Sequence, residues 1–299
     1  MTKRVIIAVL LAAILHGCLN NAKSGSSSSG QADKTTQAVR ENRTFHTIRK
    51  GGTIKEVSPQ WIKSDSLYAH ASVAEMIQLA SKHEDAIERL IAFRALMMKD
   101  PHEAANLTIS EVDDITLVGT SDGICGMEEY VSDIRLNMMQ YNRERRKISV
   151  DDSVRIDSAV LYSVNSSKLN YTHELYQKLP AKPEYENRLR QLYKQDKRAL
   201  IALAKYHKEQ DKQEISRLLS EIENDRVGAY HDTIRIVFEA LIYYNTRWSY
   251  NVIDQALSAM KKNNKNYFSY CWDFHLALEQ NPHPLYKPLL KKYPLHEYK

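Results

Sequence analysis

The sequence predicts a mostly α-helical chain, an irregular helical-hairpin solenoid with one short β-hairpin or loop inserted near residues 113–125. Three observations carry that expectation. Apolar side chains recur at three and four positions over long stretches, the spacing that lines one face of a helix. Only 9 of the 299 residues are glycine, few for the turns and phosphate loops of a parallel-sheet enzyme. Ala202-Leu203 returns as Ala240-Leu241 after 38 residues, and Ile215 returns as Ile253, a period in the range of helical-hairpin repeats.

The chain opens on a leader. Lys3 and Arg4 precede an uninterrupted apolar run from Val5 to Leu15. At helical rise such a run covers about 16 Å, roughly half a hydrocarbon core. It therefore reads as a secretion signal, removed rather than spanning. The run closes on Leu15-His16-Gly17-Cys18, which resembles the lipobox of bacterial lipoproteins, with His16 where that family prefers a small or β-branched residue. The resemblance implies a signal peptide over residues 1–17 and acylation of Cys18, which makes the membrane a partner through a lipid anchor. Leu19, not aspartate, follows the anchor. In enteric-type sorting that implies the periplasmic face of the outer membrane, if the envelope is Gram-negative.

Residues 18–50 read as a flexible Ser/Gly-rich tether. Lys23 to Gly30 is low-complexity and Gln31 to Arg43 is polar, so little here buries surface to offset ordering entropy. As a flexible coil it spans about 30 Å. Gly51-Gly52 marks a hinge, and Ser58-Pro59 with Trp61 starts the packed structure, an α-helical repeat-like domain over residues 51–299.

Within that domain, Val73 to Ala80 carries a helical apolar face that returns in Ala86 to Met98, and Asp100-Pro101 ends it. Arg188 to Tyr206 predicts one helix, paired through the polar turn Lys208 to Lys212 with a second over Glu214 to Ile222. Ala95-Leu96, 107 positions upstream of Ala202, falls close to three periods away. At each match a small residue in the second half of a predicted helix lets neighbouring helices approach.

Asp113 to Gly123 breaks the helical rhythm, with Ile124 to Tyr141 read as helix beyond it. Gly119-Thr120-Ser121-Asp122-Gly123 fits G-x-S-x-G, and strand, turn and helix are the setting of a nucleophile elbow. Ser121 would be the nucleophile of an envelope serine hydrolase, with His173, His231 or His275 as base. Against this, helices stand where such an enzyme places its parallel strands, and no His-Gly oxyanion loop precedes the serine. The plainer reading is a glycine-bounded hairpin or loop.

Other chemistry is excluded by spacing. His102-Glu103, His173-Glu174 and His296-Glu297 lack the second histidine of H-E-x-x-H, and C-x-x-C, Walker A and G-x-G-x-x-G are absent from the sequence. Asp113-Asp114 and Asp151-Asp152 read as helix caps, and Arg143 to Lys147 as a solvated helix end. No catalytic, cofactor-binding or metal-binding residue is expected, and no cofactor. Cys125 and Cys271 stand 146 positions apart, either bridged or two buried thiols. With 43% hydrophobic and 26% charged residues the chain is neither disordered nor membrane-embedded overall. Its net charge of +5, two units of which leave with the signal, is too even for a nucleic-acid partner.

Tyrosine is enriched, 18 against 5 phenylalanines. Tyr243, Tyr244, Trp248 and Tyr250 cluster, as do Tyr267, Phe268, Tyr270, Trp272 and Phe274. Such rings suit helix seams or a recognition surface. The prolines from Pro282 to Pro294 predict a tail that folds back over the last helix.

Asp114-Ile115-Thr116, Cys125-Gly126-Met127-Glu128, Asp157 to Tyr162, Tyr185 to Arg188 and Ala199 to Tyr206 resemble a group of uncharacterised bacterial lipoproteins with HEAT-like helical repeats. The resemblance covers roughly residues 60–230 and implies fold and address, with no catalytic residue to carry over. The expected function is a lipid-anchored envelope protein that binds a protein partner or acts as scaffold, an immunity-type toxin partner being one specific form. Serine hydrolysis at Ser121 and glycan or peptidoglycan binding through the aromatic clusters are the alternatives.

Overall fold

The computed structural model describes residues 44–47, 49, 56–122, 126–144, 147–223, 231–263 and 267–295. The signal peptide, Cys18 and most of the tether lie outside the described residues, as do Cys125 and the side chain of His231. The described chain is mostly helical, with 14 helices and one small three-stranded sheet. It divides into two compact units, residues 1–153 and 154–299.

The first unit contains β1 (Thr44–His46), α1 (Pro59–His70), α2 (Val73–Lys82), α3 (Ala86–Lys99), α4 (Pro101–Ser110), β2 (Leu117–Ser121), β3 (Gly126–Tyr130) and α5 (Val131–Glu144). Starts and stops follow local chemistry. Ser72 and Glu75 form a capping box on α2, Asp85 caps α3, and Asp100 caps α4 with Pro101 in its first turn. The expected hairpin is present: β2 pairs antiparallel with β3, Gly119 opposite Glu128, and parallel with β1, Thr44 opposite Gly119.

β1 lies in the stretch expected to be tether. It is a strand because Phe45, 1% exposed, enters the core with Ile87, Leu90, Ile91, Val118, Val131 and Ile134. Its outer edge is closed by side chains. The Gln60 amide donates to Thr44 O at 2.7 Å and accepts from His46 N at 2.9 Å, and Arg94 Nη2 donates to His46 O at 2.6 Å, so one glutamine stands in for a neighbouring strand.

At the centre runs α3, buried on nearly every side from Ile87 to Met97 and packed against α1, α2, α4, α5 and β1. Two arginines are taken in with it. Arg94 lies between the Phe45 and Trp61 rings, 4.3 and 4.0 Å from their centroids, and Arg135, fully buried, donates to Ala80 O at 2.6 Å.

The unit boundary falls inside α6 (Val150–Tyr162), whose first turn is capped by Ser149 paired with Asp152. The second unit continues with α7 (Tyr171–Lys178), α8 (Pro183–Tyr193), α9 (Ala199–Ala204), α10 (Glu209–Glu223), α11 (His231–Tyr244), α12 (Arg247–Asn263), α13 (Tyr267–Gln280) and α14 (Lys287–Lys292). The single helix expected over Arg188 to Tyr206 is two helices, α8 and α9. Asp196 Oδ1 accepts from Arg198 N at 3.0 Å and from Arg198 Nε at 2.9 Å, an alternative to the helical ladder that breaks it there.

Alternate helices of this unit lie side by side: α7 on α9, α9 on α11, α11 on α13, with α10 packed on α11 and α12 on both α11 and α13. Ala202 on α9, Ala240 on α11 and Ala277 on α13 are each 1% exposed or less, residues small enough to let neighbouring helices approach closely. Ala277-Leu278 continues the series 37 residues beyond Ala240-Leu241. The two non-glycine residues with positive φ among the described residues, His207 (55°) and Asn245 (49°), are also 38 apart, each in the turn after its helix. The tail folds back as expected. Tyr286 Oη reaches Leu241 O at 2.9 Å, and Tyr293 Oη reaches Asp254 O at 3.0 Å.

Candidate functional site

Ser121 ends strand β2, and Gly126–Tyr130 beyond it is a strand where a helix was expected. The elbow reading is thereby corrected: the described element that follows Ser121 is a strand and not a helix, because Gly126 to Tyr130 finds its partner along the whole of β2. Ser121 O accepts from Thr47 N and Oγ1 at 3.0 and 3.1 Å. Its register partner is a histidine that sequence reasoning did not consider, His46, whose Nδ1 lies 2.7 Å from Ser58 Oγ. His173 and His275 belong to the second unit, where their rings bond Glu239 and Tyr293 O.

The acidic pairs hold structure. Asp114 binds Arg89 Nη2 at 3.1 Å, and Asp152 accepts from His102 Nδ1 at 3.0 Å besides closing the α6 cap. A cavity of about 380 Å³ in the first unit is lined by Ser81, Arg89, Ser110, Glu111, Asp113 and Asp114. Among the described residues no group of three or more His, Cys, Asp or Glu could hold a metal ion. No described helix is long and apolar enough to cross a membrane. Cys271 is buried, its Sγ donating to Tyr293 O at 3.3 Å.

The most organised polar cluster lies in the second unit around Glu239, which sequence reasoning missed. It sits on α11 next to Ala240 and is 1% exposed. Two residues one turn apart on α7 reach it. His173 Nε2 donates to Glu239 Oε2 at 2.8 Å and Gln177 Nε2 to the same oxygen at 2.9 Å, while Arg235, one turn earlier on α11, donates Nε to Oε1 at 2.8 Å. The amides of Gln177 and Gln280 meet at 2.8 Å, which brings in α13. Burial pushes the Glu239 carboxyl up, but hydrogen bonds from His173, Gln177 and Arg235 outweigh it and hold the group below the usual carboxylate value.

Lys205, in the turn after α9, extends the cluster. Its ammonium donates to Tyr176 O, Gln177 O and Leu179 O at 3.1, 2.6 and 2.8 Å, capping the end of α7. It also stands 4.5 Å from the centroid of the Tyr243 ring. Burial pulls Lys205 down to about 8, and burial with the nearby Glu239 pushes the Tyr243 hydroxyl up to about 12. Four helices are pinned through one glutamate and one lysine. With both its oxygens engaged by donors, Glu239 orients its neighbours. The rim is accessible, His173 being 26% and Arg235 33% exposed: a fixed set of polar groups around a buried anchor.

Aromatic placement follows the seam reading in large part. Tyr244 is 2% exposed and meets the His207 and Trp248 rings at 4.9 Å each, while Tyr267, Tyr270 and Phe274 are buried on α13. Phe268 stands 49% exposed.

No family model, curated protein or solved structure matches the chain.

Proposed function

We propose that this protein is a lipid-anchored component of a bacterial cell envelope, held through Cys18, whose second unit is a HEAT-like helical solenoid acting as a protein-binding module. The observation that carries the binding reading is the Glu239 cluster. A buried carboxylate holds His173, Gln177 and Arg235 by short hydrogen bonds while leaving their outer atoms at the surface. Side chains immobilised in this way lose little further entropy when a partner binds. The row α7, α9, α11 and α13 and the recurrence of Ala202, Ala240 and Ala277 support the repeat reading. The leader, the lipobox resemblance and the Ser/Gly-rich stretch support the anchored location.

The test has two arms. Palmitate supplied to the expressing cells is expected to label the protein and to be lost with Cys18→Ser; labelling that survives the substitution removes the anchor. In cross-linking from envelope extracts, wild-type protein is expected to retain a protein that Arg235→Ala and His173→Ala lose while remaining folded by far-UV circular dichroism, at a somewhat lower Tm. Equal retention by both variants would overturn the assignment of this face.

A further inference from the structure

The small sheet of the first unit has two edges, and only one of them is closed. On the β1 side Gln60 and Arg94 satisfy the outward groups of Thr44 and His46. On the β3 side no such partner stands among the described residues. Two hydrogen bonds fix which atoms are left over. Val131 N donates to Thr116 O at 3.0 Å, and Thr120 Oγ1 donates to Met127 O at 3.3 Å, so Met127, Glu129 and Val131 turn their backbone polar groups toward β2. By the alternation of an antiparallel ladder, Gly126, Glu128 and Tyr130 turn theirs away from it, a template for a further strand.

Side chains decide which strand fits. Residues 117–130 hold 3 acidic side chains, Asp122, Glu128 and Glu129, and no lysine or arginine. Glu129 is engaged by Thr120 Oγ1 at 2.9 Å, whereas Glu128 is exposed and has no cationic partner among the described residues. Met127, on the opposite face of the strand, is 61% exposed. A second copy of this chain is a poor occupant, because two β3 strands paired antiparallel about their midpoint would set one Glu128 against the other.

We propose that the β3 edge takes up an extended segment of a partner protein by strand addition, with a lysine or arginine opposite Glu128 and an apolar residue opposite Met127. Main-chain hydrogen bonds to Glu128 supply the pairing, and the alternating side chains supply the selectivity. One glutamate on an open edge repels a like strand and admits an oppositely charged one. The site lies in the first unit and rests on neither the Cys18 anchor nor the Glu239 cluster.

The experiment uses the chain from residue 18, which keeps every described residue, with Cys18→Ser so that no acyl chain contributes. It is titrated into a fluorescein-labelled peptide of alternating valine and lysine, with anisotropy as the readout. Saturable binding is expected, together with slowed amide exchange at Glu128 and Tyr130. The same peptide with glutamate for lysine should not bind. Neither should the lysine peptide N-methylated on its lysine amides, which removes the donors that face Glu128. Glu128→Gln should weaken binding about threefold and Glu128→Lys on the order of tenfold. Glu128→Lys should also come to prefer the glutamate peptide, a reversal that a misfolded chain would not show. Absence of saturable binding, equal binding of the lysine and glutamate peptides, or undiminished binding of the N-methylated peptide would overturn the proposal. So would exchange at Glu128 and Tyr130 that slows with rising concentration of the protein alone, which assigns the edge to a second copy. None of these outcomes bears on palmitate labelling or on the Arg235 and His173 variants, so the readings fail separately.

Discussion

In the first unit Arg94 and Arg135 enter a core built around the single helix α3, with aromatic faces and one carbonyl each for company. In the second, Glu239 and Lys205 sit between neighbours in a row of helices, and each meets three hydrogen-bond partners. Arg94 Nη1 and Arg135 Nε and Nη1 are buried without a hydrogen-bond partner, and burial pulls Arg94 down to about 9. Such groups cost stability, so the first unit must recover it from packing about α3. Polar matching shares that task in the second. Formal charge divides along the same line: residues 1–153 carry 19 basic and 20 acidic side chains, and residues 154–299 carry 23 and 17.

The largest expected effect tests whether packing is centred in one unit and serial in the other. Phe93 on α3 and Phe238 on α11 are both 1% exposed or less, and truncation of either to alanine should cost about 3–5 kcal/mol. The spread should differ. Hydrogen exchange of Phe93→Ala should rise together across α1 to α5, because α1, α2, α4 and α5 all pack on α3. With Phe238→Ala the rise should stay within α9 to α13, that is, α11 and its neighbours. A rise confined to α3 in the first variant would break the contrast.

A smaller effect separates the two ways of burying charge. Glu239, held below the ordinary 4.5 in the folded chain, contributes stability present above that value and lost as pH falls through the folded value. Glu214 behaves likewise: Arg217 first, against burial, with help from Tyr193, brings it down to about 2. Both lie in the second unit, which should therefore lose stability as pH falls below 4.5. Glu239→Gln is expected to cost about 1–3 kcal/mol at neutral pH and less at pH 3, in urea melts followed by Trp248 fluorescence. An equal cost at both pH values would mean that the carboxylate charge contributes nothing.

How much of this could be read beforehand differs between the units for the same physical reason. Apolar spacing, Asp100-Pro101 and the 38-residue recurrence are local signals, and they found most of the helices and, in the second unit, the matching pairs Ala202-Leu203 and Ala240-Leu241. A further match one residue short of the period, Ala277-Leu278, and the turn residues His207 and Asn245, 38 apart, were legible by extension. Strand β1 was not, because a three-residue strand in polar sequence is decided by distant partners: Phe45 in the α3 core and Gln60 on its edge. Glu239 was hidden for a related reason. A glutamate between Phe238 and Ala240 looks like a break in an apolar face until α7 supplies His173 and Gln177.

The smallest effect probes whether the turns after α9 and α11 are equivalent, as a repeat requires. His207 and Asn245 hold φ of 55° and 49°, a region costing a residue with a β-carbon about 1 kcal/mol that glycine avoids. Direct replacement by glycine confounds this with lost contacts, since His207 packs edge-on against Tyr244 at 4.9 Å and Asn245 Nδ2 lies 3.1 Å from His283 Nε2. Alanine loses the same contacts but keeps the strain. The stability difference between His207→Gly and His207→Ala therefore isolates the backbone term, and so does the matching pair at 245. Both differences should favour glycine by about 1 kcal/mol, less the entropy that glycine returns to the unfolded chain, and should agree within about 0.5 kcal/mol. Agreement makes the two turns copies of one device; a difference near zero at one position alone would leave the 38-residue spacing there as coincidence.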